Sequence, residues 1–186
     1  MSRERALRAV PPHSLDEVYL SGDEIAARVG ALGGEIARDY AGLDPLLAVV
    51  LRGAFVFASD LSRATPIPHA LDFVSLAGYG GPLGGRAGVR LMKDLDRPIE
   101  GRHLIVVENV VDTGLTLNFL LKSLALRDPA SLVVCTLLDR PHRRLVDDLP
   151  IRYAGFDAPD EFFVGYGFSL EGRYRGLSDL RVLRRR

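Results

Sequence analysis

The segment LIVVENVVDTGLTLNFLL, residues 104–121, decides how the rest of the chain is read. It opens on the apolar run Leu104 to Val107, the pattern of a strand covered on both faces. Glu108 follows directly, then a turn carrying Asp112, Thr113, Gly114 and Thr116, then a helix over 115–126. That order places hydroxyls and free backbone N–H groups at a helix N-terminus, where the peptide dipoles favour an anion. Ligands in open α/β sheets collect at the carboxyl ends of strands, so a phosphate is the expected guest of DTGLT. Glu108 and Asp112 must then serve another part of the ligand: sugar hydroxyls, a cation, or a proton to be removed. A phosphorylated sugar satisfies all three. The competing reading is structural, with Asp112 capping the helix and Thr113, Gly114 and Thr116 completing the turn.

Working outward, LLAVVL at 46–51 and SLVVCTLL at 131–138 are further buried strands, and LDFVSL at 71–76 is another. AFVFASDLSR at 54–63 reads as a helix. Ser21 and Glu24 form a capping box ahead of Ile25, Val29, Leu32 and Ile36, which predicts an amphipathic helix ending near Gly42. Apolar strands alternating with helices predict an α/β fold, a parallel sheet flanked by helices on both faces. IRYAGF at 151–156 and FFVGYGF at 162–168 add two short strands. Between Ala77 and Gly88 six glycines and a proline predict a mobile loop, with VRLMKDL at 89–95 as the returning strand.

Composition narrows the function classes. The 186 residues suit one domain, 1–186, with about 1–13 loosely ordered. Twenty-four basic and 24 acidic residues cancel, so there is no general positive field to hold nucleic acid. No window approaches the roughly 18 apolar residues of a membrane span. A single cysteine, Cys135, excludes a disulfide framework within the chain and suits a reducing, cytoplasmic setting. His13, His69, His103 and His142 lack metal-ligand spacing, and neither G-x-x-x-x-G-K-[ST] nor a strand-linked G-x-G-x-x-G occurs.

VVENVVDTGLTL resembles the phosphoribosyl-diphosphate signature of the type I phosphoribosyltransferases: apolar residues, two acids, two apolar residues, then D-T-G-x-T. VLRGAFVFASDL at 50–61, LLDRPHRR at 137–144 and GFDAPDEFFVGYGFSLEGRYRGL at 155–177 resemble further landmarks of the hypoxanthine-guanine branch. The similarity runs in unbroken order over about residues 15–183. It implies a phosphoribosyltransferase fold with a small hood of C-terminal and N-terminal segments, the C-terminal part over about 155–186.

The resemblance also implies roles. Glu108 and Asn109 would face the ribose hydroxyls, Asp112 would manage the purine proton near N7, and Thr113, Gly114, Leu115 and Thr116 would hold the 5′-phosphate. Arg52 and Gly53 would bind pyrophosphate through a strained peptide, cis or trans, and Arg175 would reach the same group. Arg140 would face the purine oxygen, Phe162 would stack on the base, the Phe163 backbone would read it, and Tyr79 would belong to the closing lid. Mg2+ is the implied cofactor, with Glu108 and Ser169 on its side of the site. The implied partners are phosphoribosyl diphosphate, a purine base and a second copy of the chain, as homodimer or homotetramer. Asn109, Arg140, Gly78 and Ser169 replace a second acid, a lysine, a serine and an aspartate of the family pattern. The expected activity is transfer of the phosphoribosyl group to hypoxanthine or guanine. The alternatives are a nucleotide-sensing protein of the same fold with weakened catalysis, and a transferase for another base such as xanthine. Tyr166 is assigned to packing of the hood, as Cys135 is to the core.

Overall fold

Each central strand has two apolar faces, and this decides where the helices go. In β2 (Leu46–Leu51), Leu47 and Val49 join one core cluster while Leu46, Ala48 and Val50 join another. In β5 (His103–Val111), Ile105 and Val107 face the first cluster and Leu104 and Val106 the second. Successive side chains of a strand point to opposite sides, so a continuous apolar run needs cover on both. The computed structural model, which describes residues 17–79 and 88–183, supplies it. Helices α1 (Gly22–Asp39) and α2 (Phe55–Ala64) cover one face, and α3 (Leu115–Ala125) covers the other. The loosely ordered start and residues 80–87 of the expected loop lie outside the described residues.

The large sheet runs β4-β3-β2-β5-β6-β7, with β3 (Ala70–Tyr79), β4 (Gly88–Lys93), β6 (Ser131–Asp139) and β7 (Ile151–Asp157). All neighbours are parallel except β4, which returns antiparallel along β3. The order reverses between β2 and β5, because the chain leaves β2 towards β3 and leaves β5 towards β6. A smaller antiparallel sheet joins β1 (Val18–Leu20), β9 (Leu180–Val182) and β8 (Phe163–Val164). Its Leu20, Phe163 and Leu180 pack into the same cluster as Leu47 and Ile105.

The capping box forms as the sequence predicts: Ser21 N donates to Glu24 Oε2 at 2.9 Å and Glu24 N to Ser21 Oγ at 3.3 Å. Ile25, Val29, Leu32 and Ile36 are buried. Several boundaries differ from expectation: β3 runs on through Ala77 to Tyr79, taking the start of the expected loop, and β4 covers Gly88–Lys93 rather than 89–95. Helix α1 stops at Asp39, with Tyr40 as its C-cap, before the left-handed Gly42. Strand β5 continues past Glu108 to Val111, because Val110 and Val111 keep their pairing with Leu138 and Asp139. The run 162–168 is strand only at Phe163–Val164, since Gly165, Tyr166 and Gly167 all take positive φ. Strand β7 holds residues 155–157 in the large sheet, so the hood sheet starts later than 155.

Two glycines of α1 make opposite demands. A Cβ on Gly33 would lie 2.3 Å from the Ala64 carbonyl oxygen, whereas one on Gly30 would meet nothing within 4 Å. Gly33→Ala is expected to destabilise by about 1–3 kcal/mol through overpacking of α1 on α2. Gly30→Ala is expected to stabilise by about 0.5–1 kcal/mol through helix propensity. Urea unfolding of the two variants checks both signs.

Candidate active site

The crevice lies at the carboxyl ends of β2 and β5, where the strand order reverses and loops leave in opposite directions. From β5 come Glu108, Asn109 and Asp112, with the turn 112–114 leading into α3. Gly114 is the N-cap of α3, with φ 82, and no side chain caps the helix from among the described residues. The structure therefore sets aside the capping role for Asp112. It leaves the first N–H groups of α3 open, with no acidic residue in the first turn. A cavity of about 240 Å³ is lined there by Glu108, Asp112, Thr113, Gly114 and Thr116. Leu115, given a share in the phosphate cradle, has an exposed side chain and would contribute its backbone.

A second cavity, of about 320 Å³, is lined by Gly53, Glu108, Asn109, Gly167, Ser169 and Arg175, so Glu108 stands between the two. Its carboxyl accepts the Asn109 N–H at 2.9 Å, and burial pushes its pKa up to about 7. Asn109 is 3% exposed, and neither its amide nitrogen nor its amide oxygen has a hydrogen-bond partner among the described residues. An unpaired buried amide is costly, which makes Asn109 a group prepared for a ligand.

The peptide bond that leads into Arg52 and Gly53, Leu51–Arg52, is cis. Arg52 and Arg175 line a further cavity with Leu51, Phe55 and Phe73. Burial, followed by the charge of Arg52, depresses the Arg175 pKa. Two arginines near enough for one to disfavour the other's charge would both gain from an anion between them.

Asp112 opens towards the loop after β6. Arg143 Nε lies 2.6 Å from its Oδ1, and Arg140 Nη1 lies 3.9 Å from its Oδ2. Arg140 also donates to the Glu161 carbonyl at 2.6 Å and sits 5.5 Å from the Phe163 ring centroid. Phe162, at the edge of the hood, is 36% exposed. Phe163 is buried against Tyr19 and Phe168, so its side chain serves the hood core. Tyr79 ends β3, and its side chain lies outside the described residues. Sequence reasoning missed Arg143, because nothing in the sequence distinguishes it from Arg144. Arg144 pairs with Asp139 through Nη2 and donates through Nη1 to the Asp112 carbonyl at 3.3 Å, so it holds the Asp112 backbone while Arg143 meets the carboxylate.

The phosphoribosyl transferase domain family matches residues 17–168, and the chain belongs to that family. Within it, the chain is 44% identical over 178 residues to a hypoxanthine-guanine phosphoribosyltransferase of Mycobacterium avium, covering 92% of this chain and 87% of the relative. It is 42% identical over 163 residues to the hypoxanthine phosphoribosyltransferase of Escherichia coli, covering 87% and 91%. The crystal structure of a hypoxanthine-guanine phosphoribosyltransferase from Bacillus anthracis superimposes with a TM-score of 0.85 at 39% identity, over 91% of this chain and 99% of that one.

The position of Glu108 sets a pH dependence. Its folded-state pKa, about 7, lies above the ordinary 4.5, so the folded protein binds this proton more tightly than the unfolded chain. The resulting stabilisation is full below the ordinary value and is lost as pH rises through 7. Between about pH 5.5 and 8 the stability of the ligand-free protein, measured relative to Glu108→Gln, is expected to fall by about 2 kcal/mol. Urea unfolding of both proteins at the two pH values tests this.

Proposed function

We propose that this chain is a purine-salvage enzyme that transfers the 5-phosphoribosyl group from phosphoribosyl diphosphate to hypoxanthine or guanine. The products are the nucleoside monophosphate and pyrophosphate. The observation that carries the reading is the pair of anion-receptive places flanking Glu108. One is the open N-terminus of α3, and the other is the space faced by Arg52 and Arg175. A sugar bearing a monophosphate at one end and a diphosphate at the other fits that spacing of charges. The names of the relatives support the same reaction.

In this reaction the bond from ribose C1′ to the diphosphate oxygen breaks, a C1′–N9 bond to the purine forms, and the purine loses a proton. Charge builds on the departing pyrophosphate and positive character on the ribose ring. Arg52 and Arg175 neutralise the leaving group, and the N-terminus of α3 with Thr113 and Thr116 fixes the 5′-phosphate. Asn109 and Glu108 bond the ribose hydroxyls, giving the orphaned amide its partners. Asp112 takes or shares the purine proton, a step for which the base must displace Arg143 from it. Phe162 stacks on the base, Arg140 donates to its oxygen, the Phe163 backbone reads its edge and Tyr79 serves the lid.

Among the described residues no cluster of three or more His, Cys, Asp or Glu side chains is placed to hold a metal. The donor set of the second cavity is one carboxylate, the unpaired amide oxygen of Asn109 and the hydroxyl of Ser169. Glu108, Asn109 and Ser169 offer the hard oxygen donors that would help hold Mg2+ there. When bound, the ion would supply charge neutralisation on the diphosphate. No helix among the described residues is long and apolar enough to cross a membrane. A cytoplasmic location and a homodimeric or homotetrameric assembly belong to the same proposal.

Pyrophosphate release from phosphoribosyl diphosphate and Mg2+, with hypoxanthine, guanine, xanthine and adenine supplied in turn, tests the reaction and the base. Turnover with hypoxanthine or guanine is expected. No release with any of the four bases would leave the nucleotide-sensing alternative. Asp112→Asn keeps the size of the side chain and removes its basicity, so turnover should drop about a hundredfold or more while nucleoside monophosphate binding survives. Ser169→Asp restores the acid of the family pattern and is expected to lower the Mg2+ concentration giving half-maximal rate, leaving 5′-phosphate affinity little changed. A titration of Mg2+ against initial rate that shows an unchanged or higher requirement would remove Ser169 from the metal side of the site.

A further inference from the structure

The two halves of the pyrophosphate cleft come from distant parts of the chain. Arg52 and Gly53 precede α2, whereas Gly167 and Arg175 belong to the hood turn after β8. The halves meet with almost no clearance: a Cβ on Gly167, which has φ 92, would lie 2.2 Å from the Gly53 carbonyl oxygen. Between Gly165 and Gly167, Tyr166 is itself held at φ 39. A bulky residue persists in that region only where its surroundings over-determine it. The restraints are visible. Tyr166 N donates to the Leu177 carbonyl and Gly167 N to the Arg175 carbonyl, each at 2.9 Å, and Arg175 Nη1 donates back to the Gly167 carbonyl. The phenol of Tyr166, 5% exposed, donates to Asp60 Oδ2 at 2.6 Å. Asp60 lies on α2, the helix that follows Arg52 and Gly53, and is steadied by Arg63. Burial, with Asp60 adding to it, raises the Tyr166 pKa, so the hydroxyl remains a donor at neutral pH.

We propose that Tyr166 is a positioning residue for pyrophosphate. By bonding Asp60 it locks the hood turn that carries Gly167 and Arg175 onto the helix that follows Arg52 and Gly53. The spacing of the two guanidinium groups follows from that bond. The inference rests on the transferase reading above, and it assigns to a residue outside the substrate cavities control over one substrate group. The purine end draws on Arg140 after β6 and on Phe162 ahead of β8, across that strand from the turn that Tyr166 anchors.

The test uses the whole chain with calorimetric titration of magnesium pyrophosphate, alongside steady-state kinetics. Tyr166→Phe keeps the ring and removes the donor, and it is expected to weaken pyrophosphate binding and raise KM for phosphoribosyl diphosphate by about tenfold each. KM for hypoxanthine should stay within about twofold, the contrast that a general loss of structure would not give. Asp60→Asn, whose amide oxygen still accepts the bond, should retain pyrophosphate affinity, whereas Asp60→Ala should match Tyr166→Phe. The Tyr166→Phe, Asp60→Ala double variant should be no weaker than either single one. Unchanged pyrophosphate affinity in Tyr166→Phe overturns the proposal, and so does an equal loss for pyrophosphate and base. If Tyr166→Phe does not fold, the contrast between Asp60→Asn and Asp60→Ala decides. Because binding is measured without turnover, a wild-type protein that holds pyrophosphate but transfers no ribose overturns the transferase reading and leaves the role of Tyr166 to be decided on affinity.

Discussion

Helices that follow β2 and β5 must cover opposite faces of one sheet, and the rest of the structure depends on that constraint. With both strands apolar on both sides, neither face can be left to water, so α2 goes to one and α3 to the other. The loops that start these two helices then diverge from neighbouring strand ends. The gap between them cannot be filled by the main sheet, and it is roofed by a separate small sheet that draws its strands from both ends of the described chain. Position, depth and shape of the site follow from where two hydrophobic runs sit in the sequence.

The electrostatics of the crevice are those of an incomplete structure. Glu108 is held by burial as an acid close to half-ionised near neutrality, burial and then Arg52 disfavour the charge on Arg175, and the Asn109 amide has no partner among the described residues. Each arrangement opposes folding slightly, and together they sit within a fold whose two core clusters are otherwise well filled. Glu108, Asn109 and Arg175 all line the second cavity, and Arg52 joins Arg175 on the neighbouring one. A ligand with anionic ends and hydroxyls between them would satisfy all three groups at once, and a single inorganic ion would not.

Much of this was legible in the sequence because its causes are local. Ser21 and Glu24 announce their helix by a reciprocal cap, and the runs at 46–51, 103–108 and 131–138 announce buried strands by the absence of alternation. The DTGLT turn announces an open helix start because a glycine, hydroxyls and the onset of an apolar helix coincide. What escaped is set by contacts between distant residues. Val110 and Val111 remain in β5 only because Leu138 and Asp139 lie beside them, and a turn was the reasonable local reading. Val18–Leu20 is too short to announce itself, and becomes a strand by pairing with Leu180–Val182. The run 162–168 has the composition of a strand, yet the close approach of Gly167 to Gly53 needs a tight left-handed turn. Arg143 on Asp112 and Tyr166 on Asp60 join residues 31 and 106 positions apart, which no spacing rule reaches.

The contact between Gly53 and Gly167 also limits how this sequence can drift. Position 167 excludes a side chain twice, by its φ of 92 and by the carbonyl oxygen in the way, and position 53 has Asn109 Cβ at 3.3 Å from any added Cβ. The two positions are 114 apart in the chain yet border one contact: a side chain at 167 would need the Gly53 backbone to retreat, and one at 53 would press on the Asn109 side chain. Gly176, in the same hood segment, has nothing within 4 Å of an added Cβ and no positive φ, so it is open to replacement. Variation in this hood is therefore channelled: residues a few steps apart along the chain face very different barriers to change, and the steepest barrier stands where the hood turn touches the loop after β2.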